Sequence, residues 1–117
     1  MDGMRLGPDP IIFKAEQGSR NVGRALEDFF RRRISEEDDY TEVGGYRNRK
    51  GDVEIDIVVV DDIERKARLI EVKRNRNELD MKGLKSKGIR ISHELEGYDV
   101  SYEGLSTEDV RRNAGPR

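Results

Sequence analysis

Two apolar segments in the middle of the chain, joined by a short polar turn, constrain the fold most. They read "VEIDIVVVD" (53–61) and "ARLIEVKR" (67–74). Their β-branched residues are typical of strands, and the short connection predicts that the two strands pair antiparallel. Charged residues interrupt both segments: Glu54, Asp56, Glu71 and Lys73. Charges on buried strands are costly unless they pair or bind a ligand, so these four residues are the first candidates for function.

The sequence before these strands predicts a helix and one further strand. The segment "SRNVGRALEDFFRRRI" has apolar residues at helical spacing, which predicts one buried stripe formed by Val22, Leu26, Phe29 or Phe30, and Ile34. Ser19 or Asn21 is placed to cap this helix, and the acidic run "SEEDDY" is expected to end it. "YTEVGGYR" then predicts a first strand that breaks at Gly44 and Gly45.

The sequence after these strands predicts a second helix, a fourth strand and a capped final turn or short helix. "NELDMKGLKSKG" is expected to run from a cap at Asn77 to a stop at Gly88. "YDVSYEGL" alternates as a strand, and "STEDVRR" has Ser106 and Asp109 at capping-box spacing. The order α-β-β-β-α-β predicts an α/β fold with a mixed central sheet flanked by helices.

Length and composition predict one small domain. The chain has 117 residues, of which 33% are hydrophobic and 41% are charged, so the core must be small. The apolar residues cluster between positions 19 and 112, which we expect to form the folded domain. Positions 1–18 are expected to form a flexible arm, and positions 113–117 a tail.

Several classes of protein are excluded or disfavoured by what the sequence lacks. There is no cysteine, which excludes disulfides and thiolate chemistry, and the single His93 excludes a site with several histidines. We expect His93 to lie at the surface. No apolar run approaches the length of a membrane span and no secretory core is present, so a cytoplasmic protein without a membrane partner is expected.

Positive charge is concentrated in one part of a chain whose net charge is −2. Between Lys73 and Arg90 there are seven basic residues against Glu78 and Asp80. Such a segment can attract a polyanion, although a solvated helix face is the plainer interpretation. With the preceding turn "YRNRKG", it supplies the candidate nucleic-acid contacts Arg47, Arg49, Lys50, Arg74, Arg76, Lys82, Lys85 and Lys87.

Strand alternation predicts that two acids share one face of the sheet. Strict alternation directs Glu54, Asp56, Val58 and Val60 one way and Ile55, Ile57 and Val59 the other. A register with Asp56 opposite Glu71 would place the two carboxylates about 5 Å apart at Cβ. Bare carboxylates at that distance repel, so we expect removal of Asp56 to cost little stability, or to increase it, when no cation is bound.

A hard divalent cation would relieve that repulsion. It takes carboxylate and main-chain carbonyl oxygens as ligands, and Val72 can offer a carbonyl between Glu71 and Lys73. The Lys73 ammonium is expected to enter the same site, where it can orient a water molecule and steady a phosphate. Glu54 is expected near this site, holding a lysine or a second ion. In the plainer interpretation Glu71 and Lys73 are exposed and form salt bridges with neighbouring residues, worth less than about 1 kcal/mol.

The combination of Asp56 with Glu71-Val72-Lys73 resembles the motif of the PD-(D/E)xK nuclease superfamily, although Ile55 stands where the motif's name has proline. "EIDIVVV" and "LIEVKR" are similar to its Holliday-junction-resolvase-like members. "YRNRKGDVEIDIVVVDDIERKARLIEVKRNRNELD" and "YDVSYEGLSTEDV" look like the nuclease-like domain at the C-terminus of a family of prokaryotic AAA-type ATPases. The resemblance covers roughly positions 19 to 110 and implies a restriction-endonuclease-like core.

The resemblance also implies an activity and partners. An acid on the first helix often completes the site in that superfamily, and Glu27 in "GRALEDFF" matches it. Mg²⁺ or Mn²⁺ would be held by Asp56, Glu71, the Val72 carbonyl and Glu27, with Lys73 helping to activate water for cleavage of DNA. An ATPase would be the partner or the parent chain. This sequence contains no Gly-rich phosphate loop and would be only the tail piece of such a parent. Many resolvase-like relatives are dimers, which adds a homodimer to the expectations.

Two other interpretations remain open from the sequence. The domain can be a catalytically inactive module that keeps the fold and binds DNA or a protein partner. It can also be a purely structural or oligomerising domain, which would be favoured if Asp56 and Glu71 lay on opposite faces. Glu27 separates the first two interpretations, because a third acid aimed at Asp56 and Glu71 would require a cation.

Overall fold

The computed structural model describes residues 22–113. The predicted arm, the predicted caps Ser19 and Asn21, and most of the predicted tail lie outside the described residues. The elements follow in the order α1 (Val22–Glu37), β1 (Glu42–Arg47), β2 (Glu54–Asp61), β3 (Lys66–Val72), α2 (Met81–Arg90), β4 (Asp99–Leu105) and α3 (Thr107–Asn113). Short 3₁₀ helices at Arg76–Glu78 and Ser92–Leu95 flank α2. The predicted order of elements is therefore confirmed.

The strands form one mixed four-stranded sheet in the order β1-β2-β3-β4. β1, β2 and β3 make an antiparallel meander, and β4 pairs parallel to β3 after the chain has crossed over through α2. Val58 pairs with Leu69, as the sequence predicts. The expected α/β class and mixed sheet are thus both present.

Helices cover both faces of the sheet and create two apolar clusters. On one face, α1 buries Leu26, Phe30 and Ile34 against Ile57 and other residues of β2 and β3. On the other face, α2 and the 3₁₀ helix that follows it pack on a second cluster. Its buried members are Tyr46, Val53, Ile55, Val58, Val60, Ala67, Leu69, Leu84, Ile91 and Leu95. β2 and β3 are therefore covered on both sides, which explains their nearly continuous apolar sequences.

A β-bulge in β2 makes the prediction of strict alternation wrong. Gly44 pairs with Val58 but Tyr46 pairs with Ile55, so two residues of β2 lie opposite Gly45 alone. As a result Ile55 joins the same apolar cluster as Val58, whereas Ile57 belongs to the cluster under α1. Bulges of this kind redirect a side chain and often lie beside active sites. The two β2 residues of this bulge are Asp56 and Ile57.

The ends of the helices differ in part from the sequence prediction. Asp80, rather than Asn77, caps α2, because its side chain accepts the N–H of Gly83 at 2.9 Å. Asn77 lies in the preceding 3₁₀ helix, and α2 continues two residues past Gly88, which is buried against Tyr102. The capping box of α3 is confirmed by the N–H of Ser106, which donates to Asp109 at 2.9 Å.

α1 continues into the acidic run after Ile34 and ends within it, at Glu37. Its buried stripe is confirmed at Leu26, Phe30 and Ile34, with Phe29 partly buried beside it. Within residues 22–113, every helix is too short or too polar to span a lipid bilayer.

Candidate active site

Asp56 lies at the bulge, immediately beyond the last residue pair of the β2–β3 ladder, which is Ile57 with Ile70. Its carboxylate Oδ2 accepts the main-chain N–H of Val72 at 2.8 Å. The side chain of Asp56 therefore joins the two strands where their main-chain pairing ends. This bond places the carboxylate beside the main chain of Val72, the residue between Glu71 and Lys73.

Glu71 and Lys73 lie at the same end of β3 but differ in exposure. The side chain of Glu71 is 14% exposed, and its Oε1 accepts the main-chain N–H of Asp80, the cap of α2, at 3.0 Å. Its Oε2 lies 3.9 Å from the Nζ of Lys73, whose side chain is 44% exposed. Glu71 thus connects β3 to the start of α2, and Lys73 presents a positive charge to solvent.

Glu27 is linked to Asp56 indirectly, through the side chain of Arg31. Its carboxylate lies 3.6 Å from the Nη2 of Arg31, one helical turn later in α1, and each side chain is 16% exposed. The same Nη2 donates to the main-chain carbonyl of Asp56 at 3.0 Å. Within the described residues, no three acidic or histidine side chains form a group that could hold a metal ion. Glu27 therefore does not join Asp56 and Glu71 as a third converging acid.

Glu54 lies two residues before Asp56 and is contacted by two cations. Its main-chain carbonyl accepts a hydrogen bond from the Nζ of Lys87 at 2.8 Å. Its carboxylate lies 3.8 Å from the Nε of Arg47 on the neighbouring strand. The predicted lysine near Glu54 is thus present, although Lys87 contacts the main chain rather than the carboxylate.

Comparison of the chain with protein-family models, with curated proteins and with solved structures gave no match. The functional argument therefore depends on the geometry around Asp56 and on the sequence motif. His93 is exposed, as expected, and lies 3.6 Å from the Glu94 carboxylate.

The predicted nucleic-acid contacts divide into two groups. Arg47 and Lys87 make the contacts with Glu54, and Arg76 donates to Asp109 at 2.8 Å. The others are exposed and make no ion pair with the described part of the chain: Arg49, Lys50, Arg74, Lys82 and Lys85. The second group therefore has positive charge available to a polyanion.

A contact joins the turn before β2 to the last residue of α2. Arg90 at the end of α2 lies 3.0 Å from the Asp52 carboxylate. A hydrogen bond from the Asn48 side chain, together with Arg90, holds the pKa of the Asp52 carboxyl below its usual value. The charged turn at Arg49 and Lys50 is thereby fixed beside α2, which carries Lys82 and Lys85.

A groove of about 660 Å³ lies at the opposite end of β2 and β3. Its lining is mainly acidic and includes Asp38, Asp61, Asp99 and Glu103. A phosphate would be repelled there, because acidic side chains outnumber Lys66 and Arg68 in the lining. The lining of the groove contains no residue of the site at Asp56. Its negative charge also makes it unsuitable for a phosphate group.

Sequence analysis did not identify Arg31 as part of this site. It is one of three consecutive arginines, and the residue types alone do not show which of them turns inward. The available signal was its spacing, since Arg31 follows the candidate Glu27 by four residues, the distance at which helical side chains meet.

Proposed function

We propose that the chain is a Mg²⁺- or Mn²⁺-dependent phosphodiesterase acting on DNA, built on a restriction-endonuclease-like core. The observation that carries the proposal is the 2.8 Å hydrogen bond between the Asp56 carboxylate and the N–H of Val72. It sets Asp56 beside Glu71 and Lys73 at the end of two strands that are otherwise buried. The order α-β-β-β-α-β supports the proposed core.

The donor atoms at this end of the sheet suit a hard divalent cation. Asp56 and Glu71 supply carboxylate oxygens and Val72 supplies a main-chain carbonyl, which are the ligand types that Mg²⁺ prefers. Glu27 is left out of the proposed ligand set because its described contact is with Arg31. When bound, the ion would supply positive charge that polarises a phosphoryl oxygen.

The residues of the chain have separate roles in this proposal. The main-chain N–H groups of Val72 and Asp80 hold Asp56 and Glu71 in fixed directions. Lys73 is the most exposed of the three motif side chains, and its ammonium can hold a phosphate oxygen and orient the attacking water. Glu71, 3.9 Å away, in turn restrains the lysine.

The available positive surface would hold DNA by its phosphates. Arg49, Lys50, Lys82 and Lys85 are exposed, on the turn before β2 and on the helix beside it. Contacts of this kind position a duplex without reading its sequence.

A second candidate function is a nuclease-fold module that binds DNA, or a partner ATPase, without cleavage. One observation favours it: both acids already have main-chain donors, and among residues 22–113 no third acid completes a metal-binding group with them. Carboxylates satisfied in this way do not require a cation for stability. The association with an ATPase depends on the sequence resemblance.

Calorimetric titration of Mn²⁺ and Mg²⁺ into wild type, Asp56→Asn and Lys73→Ala tests the proposal. Asparagine keeps an oxygen that can accept the Val72 N–H but removes the charge that a cation needs. We expect the wild type to bind, Asp56→Asn to lose binding and Lys73→Ala to retain it. Cleavage is then assayed on duplex, nicked, flapped and four-way-junction DNA.

The outcomes separate the two candidates. Cleavage that is lost in both Asp56→Asn and Lys73→Ala supports the phosphodiesterase. DNA binding without metal binding or cleavage supports the inactive module. Cleavage that survives in Asp56→Asn would contradict the proposed site.

A further inference from the structure

The side chain of Arg31 crosses from α1 to the main chain of β2 at the bulge. Its Nη2 donates to the carbonyl of Asp56 at 3.0 Å and lies 3.6 Å from the Glu27 carboxylate. The side chain of Arg31 is 16% exposed, so most of it is withdrawn from water. An arginine is always charged, and burying it is costly unless its donors are paired.

One donor of this guanidinium is not satisfied. The Nε of Arg31 is buried and has no hydrogen-bond acceptor within the described residues. A side chain chosen only for packing between a helix and a sheet would be apolar, since buried unpaired donors are destabilising. The contacts with Asp56 and Glu27 therefore have to offset the cost of burying this side chain.

The bulge explains why Asp56 needs this contact. A bulge interrupts the regular ladder and leaves its extra residue outside the normal pairing. At Asp56 the main-chain carbonyl is held by Arg31, and the side chain is held by the N–H of Val72. Two attachments on opposite ends of one residue fix the direction in which its carboxylate points.

We infer that Arg31 is a positioning residue, which aims the Asp56 carboxylate by holding the bulge and is itself held by Glu27. The inference deepens the proposed function and rests on it for its consequence, which is the affinity for metal. It also gives Glu27 a role that requires no direct contact with the ion. Groups that orient a metal ligand typically change metal affinity by about 10- to 100-fold when they are removed.

The test compares Arg31→Gln with Arg33→Gln in the complete chain. Arg33 is two residues later on the same helix and stacks on the Phe29 ring at 4.8 Å, so its removal tests loss of charge and packing in α1 alone. Two quantities are measured: Mn²⁺ affinity by calorimetry, and the amide resonance of Val72 by nuclear magnetic resonance without metal. The Val72 amide reports directly on the hydrogen bond to Asp56.

We expect Arg31→Gln to shift the Val72 amide toward higher field, as its hydrogen bond weakens, and to reduce Mn²⁺ affinity by about 10- to 100-fold. Arg33→Gln is expected to leave both unchanged. If Arg31→Gln does not fold, Arg31→Lys replaces it, because lysine keeps the charge and the aliphatic stem while losing the planar donor group.

Three outcomes decide the matter. A shifted Val72 amide with weakened Mn²⁺ binding in the Arg31 variant alone supports the inference. Wild-type values for both in a folded Arg31 variant would overturn it and leave the proposed function intact. If the wild type itself binds no Mn²⁺, the proposed function fails, and the Val72 amide alone decides whether Arg31 positions Asp56.

Discussion

The carboxylate of Asp56 on β2 accepts the main-chain N–H of Val72 on β3, so an acidic side chain continues the connection between two strands beyond their last residue pair. Val72 is 7% exposed, and water has little access to replace this acceptor. The sequence alone predicts that removing Asp56 relieves repulsion. The hydrogen bond reverses that expectation.

We expect Asp56→Ala to lower the free energy of unfolding by about 1–3 kcal/mol, because it leaves a buried N–H without an acceptor. Asp56→Asn, which retains an acceptor oxygen, is expected to lose less. Urea unfolding of the metal-free protein measures both. An alanine variant as stable as the wild type would show that relief of repulsion outweighs the lost bond.

Tyr46 gives the protein a predicted loss of stability at alkaline pH. Its hydroxyl donates to both oxygens of Glu94 at 3.0 Å, and the residue is 2% exposed. Burial first, and then Glu94, raises the pKa of Tyr46 well above its usual value of 10.0. Below pH 10 the hydroxyl is protonated in both states, but above it only the unfolded chain ionises. Stability therefore falls as pH rises beyond about 10, by up to about 1.4 kcal/mol per pH unit.

This effect is measured as the difference in unfolding free energy between wild type and Tyr46→Phe at several pH values. The variant loses the hydrogen bond, about 1 kcal/mol at neutral pH. The advantage of the wild type should shrink above pH 10, because phenylalanine has no proton to lose. A difference that stays constant with pH would argue against the raised pKa.

Gly88 is predicted to be intolerant of a side chain. A Cβ atom at this position would lie 2.5 Å from the Tyr102 hydroxyl and 2.8 Å from its ring, which packs against the core. We expect Gly88→Ala to destabilise by about 1–3 kcal/mol through overpacking, despite the better helix propensity of alanine. Ser86→Ala, exposed on the same helix, is the matched control and should not lose stability. Equal thermal stability of Gly88→Ala and wild type would contradict the close packing.

DNA binding, if it follows the proposed surface, should depend strongly on salt. Lys82→Gln and Lys85→Gln should each reduce the slope of log affinity against log salt concentration by about 1, because each lysine releases counterions from one phosphate. Lys66→Gln is the control, since Lys66 is exposed in the acidic groove at the other end of the sheet. Fluorescence anisotropy with a labelled duplex measures the slopes. Equal slopes in wild type, Lys82→Gln and Lys85→Gln would place DNA elsewhere.

The order of elements was predictable because periodicity and capping are local properties. The apolar runs of β2 and β3, the stripe of α1 and the capping box at Ser106 all depend on neighbours within a few residues. The same locality explains the confirmed pairing of Val58 with Leu69, because a short turn leaves few registers available.

The bulge was not predictable in the same way. The register between β1 and β2 depends on how both helices pack, and the sequence signal was two glycines that predict a break in β1. The prediction of a break is wrong, because β1 continues through Gly44 and Gly45, which are buried opposite the bulge. The inward direction of Arg31 and the choice of Asp80 over Asn77 as a cap likewise depend on contacts between distant parts of the chain.

The crossover between β3 and β4 has a consequence for the order of folding. The meander of β1, β2 and β3 forms by closing short loops, whereas β4 can dock only after the whole connection through α2 is in place. We expect a transition state with an ordered meander and high φ-values at Val58 and Leu69, but values near zero at Val100. In that pathway the hydrogen bond between the Asp56 carboxylate and the Val72 N–H would form early. The hydrogen bond between the Glu71 carboxylate and the Asp80 N–H would form only when α2 docks.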